Sequence, residues 1–193
     1  MLNGFDKYII AINLLGFVLF AINTWLYTYT ENKSIDQLVT VAALLGGSLG
    51  IVVSIAAFDR KAEKDNMLSR VFVFCMLIIQ IIAVLVLKGY HGENLTFSIG
   101  RFFGKHKLLI WYLVIINLVT FTMFAIDKIR ALEHGNRIRI VTLFSMAFVG
   151  GSIGGLAAMY IFRHKTSQIY FTVGVPMIIV MQTVLIFYVM NLS

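Results

Sequence analysis

"GGSIGGLAAMYIFRHKT", residues 150–166, decides how this chain is read. Four glycines stand inside an apolar run, and the run closes on Arg163-His164-Lys165. A glycine in a helix interior costs roughly 1 kcal/mol relative to alanine, so four in six residues need a structural reason. A phosphate-binding loop is not that reason: no Lys-Ser/Thr follows "GGSIGG", and no strand precedes it.

Working outward, the run lies in one of six long apolar blocks, roughly Tyr8–Tyr27, Leu38–Phe58, Val71–Leu87, Leu108–Ile126, Val141–Phe162 and Tyr170–Met190. Each is close to the ~18–20 apolar residues that a membrane-crossing helix needs. Of the 193 residues, 60% are hydrophobic and 13% charged, against about 25% charged in soluble domains. The expectation is an all-α membrane protein with six transmembrane helices. The net charge of +7 then points to membrane lipids as partners rather than to nucleic acid, because Lys and Arg collect at helix ends and face anionic head groups. Lys7 is the only base before the first block, and no small-x-small cleavage site follows it, so that block reads as a spanning helix rather than a signal peptide. The single cysteine, Cys75, allows no intrachain disulfide.

The chain repeats itself. "YIIAINLLGFVLFAIN" from Tyr8 matches "YLVIINLVTFTMFAID" from Tyr112, and at the same offset Gly46-Gly47-Ser48-Leu49-Gly50 falls on Gly150-Gly151-Ser152-Ile153-Gly154. Without a gap, 16 of the 54 positions from 8 to 61 are identical to their mates, including Asn13 with Asn117 and Lys61 with Lys165. This predicts two three-helix repeats, 1–87 and 108–193, joined by 88–107. The joining segment carries Lys88, Arg101, Lys105 and Lys107 among Phe97, Phe102 and Phe103, a composition suited to an amphipathic stretch on the membrane surface. Three crossings per repeat would put the copies in inverted topology, as in many transporters. The first half carries five bases on one side and one on the other before the linker, which favours both termini inside.

Residues four apart share a helix face, so Ala42, Gly46, Gly50 and Ser54 form one small-residue stripe, and Ala147, Gly151 and Gly155 form another, flanked by Gly150, Gly154 and Ala158. Such stripes let helices approach closely in lipid. The seven glycines 46, 47, 50, 150, 151, 154 and 155 are therefore expected to pack helices, with the second and fifth as a central pair. Asn13, Asn117, Gln80 and Gln182 lie within apolar blocks and are expected to hydrogen-bond between helices. Pro176, with Gly174 beside it, should kink the last helix.

The second copy resembles a known family. "NLVTFTMFAIDKIRA", "RIRI", "GGSIGGLAAMYIFRHKT" and then "GVPMII" are similar to the domain of unknown function 1294 family of small bacterial membrane modules, over about residues 112–181. The resemblance implies a bacterial cytoplasmic membrane location and no established activity. This chain has Arg139-Ile140 where the family has Pro-Glu.

Two charged groups are site candidates. Asp127, followed by Lys128, ends the fourth block. In the inverted arrangement it would pair with Arg60 or Lys61, while its repeat mate Asn23 would lie near Arg163–Lys165. That leaves Arg163, His164, Lys165 and Thr166 as a cationic cluster without a carboxylate, able to hold an anion or a lipid head group. There is no HExxH, no cysteine pair and no carboxylate dyad, so no metal, cofactor or enzymatic activity is expected. The sequence favours a small transporter or permease-like protein for an anionic or amphipathic compound. The rival is a non-transporting scaffold that binds lipid head groups or a protein partner. Either could form an oligomer.

Overall fold

In the computed structural model, residues 3–29, 36–59, 66–92, 97–133 and 135–192 are described. The chain divides into two compact units, Met1–Val84 and Leu85–Ser193. The first holds α1 (Gly4–Tyr29), α2 (Asp36–Ala42), α3 (Ser48–Phe58) and α4 (Met67–Leu87), whose last residues pass the boundary. The second holds α5 (Ile99–Lys105), α6 (Lys107–Leu132), α7 (Ile140–Met146), α8 (Ser152–Ile161), α9 (Ile169–Thr172) and α10 (Gly174–Met190). Six helical stretches are long and apolar enough to cross a membrane: Gly4–Leu26, Gln37–Phe58, Met67–Leu87, Lys107–Leu132, Ile140–Ile161 and Ile169–Met190. Helix is what such sequences must form in lipid, where no water can satisfy backbone N–H and C=O groups.

The fifth stretch has the length of a crossing but does not run as one. Ile138 N donates to Asp127 Oδ1 at 2.8 Å, and His164 Nε2 lies 2.9 Å from Asp127 Oδ2. A straight helix of 26 residues would part those two positions by about 39 Å at 1.5 Å per residue. Both meet one carboxylate, so the stretch doubles back. The bend is at Gly150, whose φ of +124° is left-handed; a residue with a Cβ is strained there. Tyr112 Oη donates to Val149 O at 2.6 Å, which sets the bend beside the start of α6. From there α8 returns along α6, with the Phe121 and Phe162 rings 5.4 Å apart. The first unit bends in the same way at Gly46, φ +117°. Tyr8 Oη holds Leu45 O at 2.7 Å there, and Val39 of α2 shares one apolar cluster with Ile51 and Ile55 of α3 and Val73 of α4.

The expected glycine stripes are corrected by these bends. Gly46 and Gly150 reverse the chain rather than pack helices, and helical periodicity does not continue through them. The remaining glycines face α1 in the first unit and α6 in the second. A Cβ on Gly47 would come within 2.7 Å of Ile12 O, and one on Gly16 within 2.6 Å of Gly47 O. Gly50 and Gly154 lie against the backbones of Asn13 and Asn117, Gly151 against Thr120, and Gly155 against Phe124 and Thr120. The close contact is thus α1 with α3, and α6 with α8. The reason is local: once the chain folds back, the small face of the returning half-helix lies on the helix that preceded it.

Breaking a helix within an apolar stretch frees carbonyls that must find donors. Side chains supply them in both units. Gln182 Nε2 donates to Ala147 O at 2.7 Å and Phe148 O at 3.1 Å, and its Oε1 accepts from Ser152 Oγ at 2.5 Å. Gln80 donates to Ala43 O and accepts from the Ser48 hydroxyl. Asn117 Nδ2 donates to Leu113 O and Gly150 O, while its Oδ1 accepts from Gly154 N at 2.7 Å. Asn13 donates to Ile9 O and accepts from Gly50 N at 2.9 Å. The four amides expected to be interhelical are therefore bonded across helices, each at a hairpin bend. The last stretch is interrupted at Val173, three residues before Pro176. Helix α5, in the basic linker, has no buried residue.

Candidate functional site: a buried carboxylate at the root of the second hairpin

Asp127 lies five residues before the end of α6 and is fully buried. An isolated carboxylate in such a place is very costly, and three donors converge on this one, one of them also held by an aromatic ring. Oδ1 accepts from Ile138 N, just before α7. Oδ2 receives His164 Nε2 at 2.9 Å and Lys165 Nζ at 2.7 Å, both just after α8. Lys165 Nζ also sits 4.7 Å above the Phe171 ring. Phe171 in turn stacks on Phe144 of α7, with centroids 4.8 Å apart and planes 6° apart, and meets Phe124 of α6 edge-on. The His164 and Lys165 side chains are 13% exposed. One carboxylate thus ties both roots of the hairpin to α6.

The end of α8 explains how His164 reaches inward. Arg163 N donates to Tyr160 O and His164 N to Met159 O, the paired bonds of a Schellman helix end. That motif needs a left-handed residue, and Arg163 fills the place with φ +44°; Lys165 follows at +62°. Two non-glycine residues at positive φ cost about 1–2 kcal/mol each. The turn they make aims residues 164 and 165 back at Asp127, while Arg163 and Thr166 remain exposed.

The expected site is rearranged accordingly. Asp127 does have cationic partners, but they are His164 and Lys165; Arg60 and Lys61 lie outside the described residues. The cluster Arg163–Thr166 was expected to lack a carboxylate, and two of its four members are held by one. The error came from reading the fifth block as a crossing, which put its far end on the other side from Asp127. Lys128 is half-buried next to the site. Asn23, the mate of Asp127, is buried. Sequence reasoning missed Tyr8 and Tyr112, although their place in the repeat was a usable signal. It also missed Phe144 and Phe171, which nothing in the apolar pattern distinguished. No group of three His, Cys, Asp or Glu that could hold a metal occurs among the described residues.

Taken together, these are the features of an integral membrane protein whose apolar helices are interrupted by hairpins bent at glycine. Residues 117–171, from the asparagine clamp to the phenylalanine under Lys165, match the family described as "Protein of unknown function (DUF1294)". The chain is also 43% identical over 75 residues to the "Uncharacterized protein YsdA" of Bacillus subtilis (strain 168), covering 39% of this chain and 84% of that protein. The chain belongs to the DUF1294 family. No solved structure matches it.

Proposed function

We propose that the protein is a small permease-like carrier in a bacterial cytoplasmic membrane, built from two copies of one unit, and that it is not an enzyme. The observation that carries this reading is the hairpin bent at a left-handed glycine inside an apolar stretch, present in both units. Interrupted helices at membrane depth are where transporters hold their solutes. Two copies are supported by the sequence match and by the corresponding bonds of Tyr8 and Tyr112, Asn13 and Asn117, and Gln80 and Gln182. With the hairpin re-entrant, each unit crosses twice. An inverted pair needs an odd number of crossings per unit, so this reading displaces it.

The solute class is anionic or amphipathic. Arg163 and Thr166 are exposed beside Lys165, and guanidinium forks suit carboxylate and phosphate. The scaffold reading also has an observation behind it, since every carbonyl named at the bends is already bonded to a side chain. Two experiments test the proposal. Cysteines placed at Arg137 and Thr166, at the two roots of the hairpin, should label with an impermeant maleimide from the same side of the membrane. Labelling from opposite sides would overturn the re-entrant topology. Liposomes holding the purified protein should take up radiolabelled carboxylates or phosphate faster than empty ones; uptake no faster for any of them favours the scaffold.

A further inference from the structure

We propose that His164, Asp127 and Lys165 form a proton-binding site, and that its occupancy sets how tightly the second hairpin is held at its root. This rests on the hairpin being the working element of the carrier, and the test below leaves solute movement aside so that either idea can fail alone.

Geometry fixes where the proton goes. A carboxylate only accepts hydrogen bonds, so Nε2, 2.9 Å from Asp127 Oδ2, carries a hydrogen. The other ring nitrogen, Nδ1, is then the atom that gains or loses a proton, taken from or returned to water. Imidazole is the side chain whose charge ordinarily changes between pH 5 and 8. With Nδ1 bare, the cluster is neutral: Lys165 balances Asp127. With Nδ1 protonated, two cations share the single oxygen Oδ2 and the buried cluster carries one excess positive charge.

The surroundings do not absorb that charge. From α6, Asp127 is already matched by Lys165, with Lys128 and Arg130 in the next turn. The segment before α7 brings the exposed Arg137 and Arg139, and the segment after α8 the exposed Arg163. α9 brings Phe171, under Lys165, and the half-buried Tyr170. Glu133 is exposed at the end of α6. A protonated His164 therefore sets a second cation beside Lys165 with only one carboxylate between them; their repulsion, and the cost of burying the extra charge, weaken the tie between α8 and α6. The first unit has no such device at the corresponding place, because Asn23 stands where Asp127 does.

The test uses the full chain in nanodiscs. Hydrogen–deuterium exchange of the peptides covering 138–146 and 162–168, corrected for intrinsic rate, is followed from pH 5.5 to 8. Protection in the wild type should fall at least about fivefold toward acid, the lower end of ordinary site-to-site coupling. His164→Gln keeps an N–H for Asp127 but cannot titrate, and its protection should be independent of pH. A merely structural histidine would lower protection equally at every pH. Nitrogen NMR of histidine-labelled protein, assigned by the signal lost in His164→Gln, reads the protonation directly. A wild-type profile that is flat or rises toward acid, an unchanged profile in His164→Gln, or an imidazole that keeps one charge state throughout would each overturn the proposal.

Discussion

The two units bend the same way but tie their hairpins differently. In the first, the carboxylate is on the hairpin: Asp59, just after α3, bonds Arg70 of α4 at 2.9 Å and accepts from Asn66 Nδ2. In the second, the carboxylate is on the helix before the hairpin, and Asp127 reaches forward to His164 and Lys165. Asp59 is 26% exposed and Asp127 fully buried. The neutral bonds of tyrosine, asparagine and glutamine recur, so they make the bend. The carboxylate of Asp127 does not recur, since Asn23 stands in its place, so the carboxylates decide which neighbour holds each hairpin. Only the second arrangement falls in the stretch matched by the family.

The sharpest way to break this comparison is to remove each carboxylate. Asp127→Ala removes the carboxylate that Lys165, His164 and Ile138 N share, and should cost about 3–5 kcal/mol. Asp59→Ala, at a partly hydrated pair, should cost about 1 kcal/mol or less. Unfolding in mixed detergent micelles measures both, and equal losses would erase the distinction. Next come the glycines, where the units should agree. Gly50→Ala and Gly154→Ala push a methyl into the backbone of Asn13 or Asn117, at about 1–3 kcal/mol or more each; a marked difference would mean that one contact is looser.

The clamps should differ slightly. Asn117 makes one bond more than Asn13, to Gly150 O. At roughly 0.6–2 kcal/mol for an interhelical polar interaction, Asn117→Ala should shift the same unfolding midpoint further than Asn13→Ala. The smallest effect is expected for Arg163→Gly. It relieves a left-handed residue but enlarges the unfolded ensemble, leaving a net gain of at most about 1 kcal/mol. A loss of stability there would show that the arginine side chain does more than occupy a turn.

Much of this was legible in the sequence. Six apolar stretches, the interhelical amides and the break near Pro176 all follow from composition and spacing. The hairpins do not, because a 22-residue apolar stretch looks the same whether it crosses or turns back. The signal was "GG" itself: in each pair the first glycine takes the left-handed bend and the second opens the returning half-helix. Treating the pair as one continuous stripe hid the turn, and the lost turn then placed His164 and Lys165 on the side away from Asp127, where the structure has them meet it. The aromatic stack under Lys165 had no sequence signal, since Phe144 and Phe171 are two of 16 phenylalanines.

Gln182 carries a consequence for biosynthesis. The donors that answer the bend at Gly150 come from both sides of it in the chain: Tyr112 and Asn117 are made before it, but Gln182 lies on α10, which is made well after it. Until then the carbonyls of Ala147 and Phe148 lack the amide that answers them in the finished fold. The hairpin is therefore provisional during synthesis and locks only when α10 arrives. Chains stalled before residue 182 should be the preferred substrates of membrane quality-control proteases.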